Sequence, residues 1–502
     1  MSGNSPPKRS FNLLTEPWIP IAGVGLVSLN DVFTHPEYAR LGGTPIEKVV
    51  LLRLLLCIVH ASSPLPDLDA WLDLTLEEMA QNALVYLEKW SDRFDLYDET
   101  HPFLQFPQLR GQCQASNPNA LSLSVSSGNK TILTQWNVGT VPTDAELARQ
   151  ILCGSCFGMG GGKYDLGAKI DPNVQKRKKE KGKASAPQGT LTGYSGYLHS
   201  FMLGNTLLET LRLNILTDEE RDERPELGRP FWELMPKGEK DEVYASSYLG
   251  TLFPMDKFFC LDEGNILMTQ GIYYPSHKTG QWDPGIAIYG EIKDLKARWC
   301  KPEQSPWRQL PSLLQFLDST IFSNPMPAFV YYGLPKLGES PETTAFGLWV
   351  GGVAVSTNSR EQYVSGQNDY ANSEFLIPMS WKRAKTYEVF KEFMKEIEDY
   401  SSILYKAVNA YFENQSEKND KQGSAATRLF WEKMEPLAQS IISLSEEQDE
   451  EKIKAAKTEW KQIARSCYDD FCPHITPRQM QAYIQNTPYF VPKQDKKKGG
   501  KK

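Results

Sequence analysis

Cys153 and Cys156 stand at C-x-x-C spacing, and a glycine cluster (Gly160, Gly161, Gly162) follows directly. Behind it come Lys163, Lys169, Lys176, Arg177, Lys178, Lys179, Lys181 and Lys183, and the stretch closes through Ala186, Pro187, Gln188 and Gly189. Paired thiolates can bind a soft metal. Glycine lets backbone N–H groups come close to a partner, and a Lys/Arg run attracts phosphates without regard to sequence. The region 153–196 therefore carries the composition of a phosphate-binding loop, and a solvated linker would carry it too. A loop this long is usually functional or disordered.

The spacing excludes several specific chemistries. A nucleotide phosphate loop needs glycine five positions before the one that precedes its lysine, and Phe157 stands there; Tyr164 replaces the metal-binding hydroxyl. A zinc site needs four ligands, but the chain has no second C-x-x-C and no H-x-x-x-H, so Cys153 and Cys156 read as structural thiols and no metal or cofactor is expected. The six histidines (35, 60, 101, 199, 277, 474) show neither H-E-x-x-H nor a nuclease-like pair, and no G-x-S-x-G nucleophile elbow occurs. The residues point to a binding scaffold rather than an enzyme. A nucleic-acid-processing enzyme with an unrecognised active site and an RNA- or protein-binding assembly scaffold remain the alternatives.

The elements that must position this loop follow from pattern. A chain of 502 residues exceeds one core and should divide. Its net charge of −7 confines nucleic-acid binding to local basic patches, the arm at 163–183 and the tail at 493–502. Eight scattered cysteines, a polar first ten residues and an apolar run (49–59) interrupted by Arg53 predict a reduced, cytoplasmic chain with no membrane partner. Residues 11–21 read as a strand; 45–62, 67–90, 144–152 and 206–216 read as helices. Thr143 and Glu146 form a capping-box signature for the helix that enters the loop. His101 reads as a structural histidine. From 244 to 378 short aromatic and β-branched runs, such as 258–259, 329–332 and 346–355, predict strands. Beyond 378, apolar residues at helical spacing (Phe390, Met394, Ile397, Leu404, Val408, Tyr411; Ile453, Ala456, Trp460, Ile463) predict long helices. The fold class is thus α+β: a large mixed α/β N-terminal domain (1–377), a C-terminal four-helix bundle (378–490) and a basic tail (491–502) expected to be disordered.

Five blocks in order carry a family resemblance: Asn12-Leu13-Leu14-Thr15-Glu16-Pro17-Trp18-Ile19-Pro20, His101-Pro102-Phe103-Leu104-Gln105, Cys153-Gly154-Ser155-Cys156, Ala186-Pro187-x-Gly189, and Asn205-Thr206-Leu207-Leu208-x-Thr210-Leu211-x-Leu213-Asn214. Together they resemble the large subunit of type I-E CRISPR surveillance complexes (Cascade), over the whole chain. The resemblance implies a non-catalytic subunit that inspects double-stranded DNA for a short motif beside the guide match, opens the duplex so that guide RNA can pair, and recruits a helicase-nuclease. Its implied partners are guide RNA, target DNA, the backbone, small and RNA-end-binding subunits, and that helicase-nuclease. It implies motif recognition by Pro187, Gln188, Gly189 and Gly193 from the minor groove, joined by Lys278. It also implies a duplex wedge at the hairpin tip 358–362 (Asn358, Gln362) behind a strand at 349–353, and a guide-RNA or complex contact at Ile132, Leu133, Thr134, Gln135 and Trp136. The basic arm, Lys163 to Lys183, would clamp the DNA backbone.

Overall fold

The helix Pro45–Ser62 is the element around which the first half of the chain packs. Thr44 and Glu47 close a capping box at its start, Pro45 fills the first turn, and nearly every later position is apolar and buried. A helix apolar on all sides must be covered on all sides. The helices Leu76–Lys89, Asp144–Cys156, Leu207–Leu213 and Tyr248–Leu252 pack against it. Its one central charge, Arg53, is 1% exposed. The guanidinium bonds both carboxylate oxygens of Asp283 at 2.7 Å and the Leu252 carbonyl at 3.0 Å. Burial alone would raise the Asp283 carboxyl, and the charge of Arg53 overrides it and holds the group below its usual range.

This computed structural model describes residues 9–122, 141–161, 168–171, 188–221, 226–238, 240–274, 283–286, 288–289, 296–314, 317, 327–338, 344–357, 362–382, 384–415 and 420–490. The chain divides into two units. The first comprises Met1–Pro306, Ser323–Ser340 and Phe346–Glu374. It holds an antiparallel pairing of Leu198–Leu203 with Ala345–Val353, in register from Leu198 opposite Gly352 to Leu203 opposite Gly347. The strand Tyr370–Pro378 lies on the other side of Ala345–Val353. A second antiparallel pair, Lys257–Asp262 with Asn265–Gln270, turns through Glu263 and Gly264, both at positive φ, as a two-residue hairpin requires. A short hairpin pairs Ser356–Thr357 with Gln362–Tyr363.

The second unit comprises Trp307–Phe322, Pro341–Ala345 and Phe375–Lys502. Its spine is the helix Ala384–Glu413, against which Asp420–Met434, Glu450–Phe471 and Pro477–Asn486 pack. Phe390, Ile397, Leu404, Val408 and Tyr411 are all buried along it, the stripe that the helical spacing predicts.

Helix and strand are mixed as the sequence predicts, and several local expectations need correction. The segment 67–90 is two helices, Leu68–Asp73 and Leu76–Lys89, because Leu74 is extended and Thr75 starts a fresh capping box with Glu78. Residues 329–332, expected as a strand, belong to the helix Ala328–Lys336; an unbroken aromatic run has no period that would distinguish the two. Helices Glu242–Ser246 and Tyr248–Leu252 open the region expected to be β. Of 11–21 only Ile19–Ile21 is strand, since the Asn12 side chain turns the chain by accepting from the Leu14 N–H. Between the basic loop and the helix Leu207–Leu213 stands the strand Leu198–Leu203, which the sequence pattern leaves unassigned.

Candidate nucleic-acid interface

The helix Asp144–Cys156 delivers the chain into the glycine cluster, and its start and end are both fixed. At its start Thr143 Oγ1 accepts from the Glu146 N–H at 3.2 Å and the Glu146 carboxylate accepts from the Thr143 N–H at 2.8 Å. Arg149 pairs with Glu47 at 2.8 Å and donates to the Trp18 carbonyl at 2.8 Å, tying the helix to the central one. The C-x-x-C is its last turn. Cys153 and Cys156 are buried in apolar packing, and that burial pushes both thiols well above the usual thiol range. No cluster of three metal-ligating side chains occurs among the described residues.

Beyond the helix the chain meets a second glycine segment backbone to backbone. A Cβ on Gly189 would lie 2.3 Å from the Gly158 carbonyl oxygen, so only glycine permits that approach. Beneath the contact lies a buried opposite-charge pair, Asp256 and Lys257. Asp256 accepts from the Thr190 N–H at 2.6 Å and the Thr190 hydroxyl at 2.5 Å, and its own N–H donates to the Ser155 carbonyl at 2.8 Å. Lys257 donates to Gln270 Oε1 at 2.9 Å. Burial raises the Asp256 carboxyl and lowers the Lys257 ammonium, while the mutual attraction works against both shifts. Leaving either partner alone there would strand a charge in the core.

The segment 189–197 then folds into tight turns, with Gly193 N–H donating to the Gly189 carbonyl at 2.9 Å and Gly196 N–H to that of Thr192 at 3.1 Å. Gly196, at φ +87°, leaves no room for a side chain: a Cβ would sit 1.7 Å from the Val353 carbonyl oxygen. The neighbouring Val355 N–H donates to the Ser195 carbonyl at 2.9 Å, so the strand end at 353 and the turn are joined. His199 closes the layer below through Nε2 to the Leu191 carbonyl at 3.0 Å, and burial lowers its pKa to about 4, so it is neutral.

Gln362 joins the short hairpin to both glycine segments. Its N–H donates to the Gly160 carbonyl at 2.9 Å, and its Oε1 accepts from the Gly160 N–H at 2.8 Å. Its Nε2 donates to the carbonyls of Gly193 at 2.8 Å and Tyr194 at 3.0 Å.

Among the residues named from sequence, the structure brings Gln188, Gly189, Gly193 and Gln362 into one platform. Gln188 is exposed; Gly189 and Gly193 are buried. Gln362 differs from expectation: it starts the return strand of the hairpin, at 2% exposure and with both amide hydrogens used, and does not stand free at a tip. Lys169 is exposed and its backbone exchanges two hydrogen bonds with the Gln112 side chain. Pro187, Lys278, Asn358, Lys163, Lys176, Arg177, Lys178, Lys179, Lys181, Lys183 and the segment Ile132, Leu133, Thr134, Gln135, Trp136 lie outside the described residues.

Sequence reasoning passed over Asp256, Lys257, Thr190 and Tyr194. An acid and a base side by side where the apolar run 258–261 begins was the available signal for the first two. Tyr194, 56% exposed between Gly193 and Gly196, carried no pattern at all.

The chain is helix-rich and divides into two units, the first of which holds the glycine-built platform, and comparison with known proteins gives its class. The family model for CRISPR-associated protein Cse1 matches residues 12–468, and the chain belongs to that family, the large-subunit family that the five sequence blocks resemble. The CRISPR-associated protein CasA/Cse1 of Thermus thermophilus is 29% identical over 243 residues, which span 45% of this chain and 43% of that relative. The crystal structure of CasA from Thermus thermophilus superposes with a TM-score of 0.69 at 20% identity, covering 95% of this chain and 98% of the other. A chain of a CRISPR RNA-guided surveillance complex gives 0.71 at 19% identity, over 95% and 99%. At such identities the superpositions establish a shared fold.

Proposed function

We propose that this chain is the non-catalytic large subunit of a guide-RNA-directed surveillance complex and that it reads a short motif in double-stranded DNA beside the guide match. The observation that carries the reading is the platform itself: two glycine segments held backbone to backbone, with Gln188 exposed at the edge, in a member of the Cse1 family. The buried glycine contacts hold the exposed Gln188 in place, and the minor groove offers a degenerate acceptor pattern that Gln188 and Lys278 suit. Sequence discrimination along the target is left to base pairing with guide RNA. The hairpin that includes Asn358 opens the first pairs, and residues 132–136 meet the guide RNA or a neighbouring subunit. The helices after 378, read as a four-helix bundle, face the rest of the assembly of backbone, small and RNA-end-binding subunits, and the opened complex recruits the helicase-nuclease.

Lys163, Lys169 and the run 176–183 act as a backbone clamp. Their contacts set affinity and salt dependence and not motif choice. Replacing these basic residues by alanine weakens binding to all duplexes alike and flattens the salt slope; loss confined to one motif would contradict the clamp.

The test of the reading is duplex binding by the chain reconstituted with its guide-RNA complex, on targets differing only in the three pairs flanking the guide match. Strong dependence on those pairs, reduced in the Gln188→Ala/Lys278→Ala double variant, is expected. Gly189 is left alone because any side chain there would displace Gly158. Binding indifferent to the flanking pairs would leave an assembly scaffold as the better account, and metal-dependent cleavage by the purified chain would favour an enzyme.

A further inference from the structure

Gln362 makes four hydrogen bonds to three other residues, Gly160, Gly193 and Tyr194, and every one crosses from the hairpin to a distant stretch of chain. A surface glutamine in a polar turn would leave its amide to water. Here both N–H groups of the amide are committed to carbonyls in 193–194, and the amide oxygen is committed to the N–H of Gly160. The Gly160 bonds run both ways, from main chain to main chain and from main chain to side chain, so Gly160 is held at two points. No other described side chain joins the hairpin to both glycine segments, and among the described residues the carboxylate of Asp256, which also braces the platform, bonds Thr190.

We propose that Gln362 is a positioning residue that couples the motif-reading platform to the hairpin beside it, so that docking on the flanking pairs fixes the hairpin for strand opening. This rests on the motif-reading function proposed above. Gln362 does not enter the duplex. It transmits position, because any shift of 160–161 or 193–194 on contact with DNA must move the residue they share. A buried, fully bonded amide is suited to that: its geometry is specific, and breaking one bond leaves a buried polar group without a partner.

The experiment uses the assembled complex with two duplexes carrying the same flanking motif. One is cross-linked between strands within the guide-matched segment, so that it can dock but not open; the other is free to open, with 2-aminopurine in its first guide-matched pairs. Gln362→Met keeps the length and the main-chain bonds and removes every side-chain bond. Opening should slow by at least about tenfold more than docking to the cross-linked duplex weakens. A target with those first pairs already mismatched should restore the wild-type rate, which also shows that the variant is folded. Asp256→Asn loosens the platform without touching the hairpin and should lower docking and opening in proportion.

Proportional loss in Gln362→Met, or opening unchanged, would overturn the coupling. If that variant does not assemble, amide exchange on the wild-type complex decides. Docking of the cross-linked duplex should protect Gly160, 193–194 and 362–363 together, and protection at the glycines without 362–363 would overturn the coupling. Absence of any flanking-pair dependence in the wild-type complex would instead remove the motif-reading function itself.

Discussion

In the helical second unit the buried groups are large side chains: Trp381, Tyr387, Phe390, Tyr400, Tyr411, Trp460 and Tyr468 are each almost wholly covered. In the platform of the first unit the closest contacts are made by main chain, at Gly158 with Gly189 and at Gly196 with Val353, over a buried acid–base pair. The first kind of packing draws its stability from area and tolerates repacking, at roughly 25 cal/mol per Å² of apolar surface. The second depends on atoms that must be absent, and on hydrogen bonds that must all be made. A framework built that way is fragile to substitution and exact in shape.

The largest effect that sharpens this contrast is at Gly196. Gly196→Ala adds a left-handed non-glycine residue and a main-chain collision, together about 4 kcal/mol, and thermal unfolding should show it. Gly338 also has positive φ but nothing within 4 Å, so Gly338→Ala should cost only about 1 kcal/mol. Equal losses at the two positions would show that the collision with Val353 is relieved cheaply. In the second unit Trp460→Ala removes a ring packed edge-on against Phe393 and should cost about 3–4 kcal/mol, while leaving the response to flanking pairs intact.

The next effect is in pH. His199 is held neutral with its pKa lowered to about 4, and the unfolded imidazole titrates near about 6.5. Its folded state therefore binds fewer protons between those values. The stability is present above about 6.5 and is lost as pH falls toward 4, by up to about 1.4 kcal/mol per pH unit. His60, buried and lowered beside Arg221 and Lys336, adds a second contribution of the same sign. His199→Gln should flatten the acid limb of stability against pH in denaturant titrations; an unchanged slope would mean that His199 is protonated in the folded protein.

The smallest effects are at helix caps. Thr143→Ala and Thr476→Ala each remove the hydroxyl of a capping box and should cost about 1 kcal/mol by chemical denaturation. Only Thr143→Ala should also weaken DNA docking, because its helix leads into the platform.

The contrast also explains what could be read in the sequence. The stripe from Phe390 to Tyr411 and the cap at Thr143 were legible because periodicity and capping are local. The split at Leu74 was not, since both halves share one apolar spacing and only the cap at Thr75 separates them. Within the site, Gly189 and Gln188 were reached through motif order. The role of Gln362 depends on Gly160 and Gly193, far away in the chain, and nothing local distinguishes it from any other polar turn residue. Asp256 was missed for the same reason: its partner Thr190 is distant in sequence and close only in the fold.

The most direct measurement of the central claim is site-specific photocross-linking from position 188 in the assembled complex bound to a duplex target. Adducts confined to the three pairs flanking the guide match, and lost when those pairs are changed, are the predicted result. Adducts on guide RNA or on a neighbouring subunit, insensitive to those pairs, would contradict it.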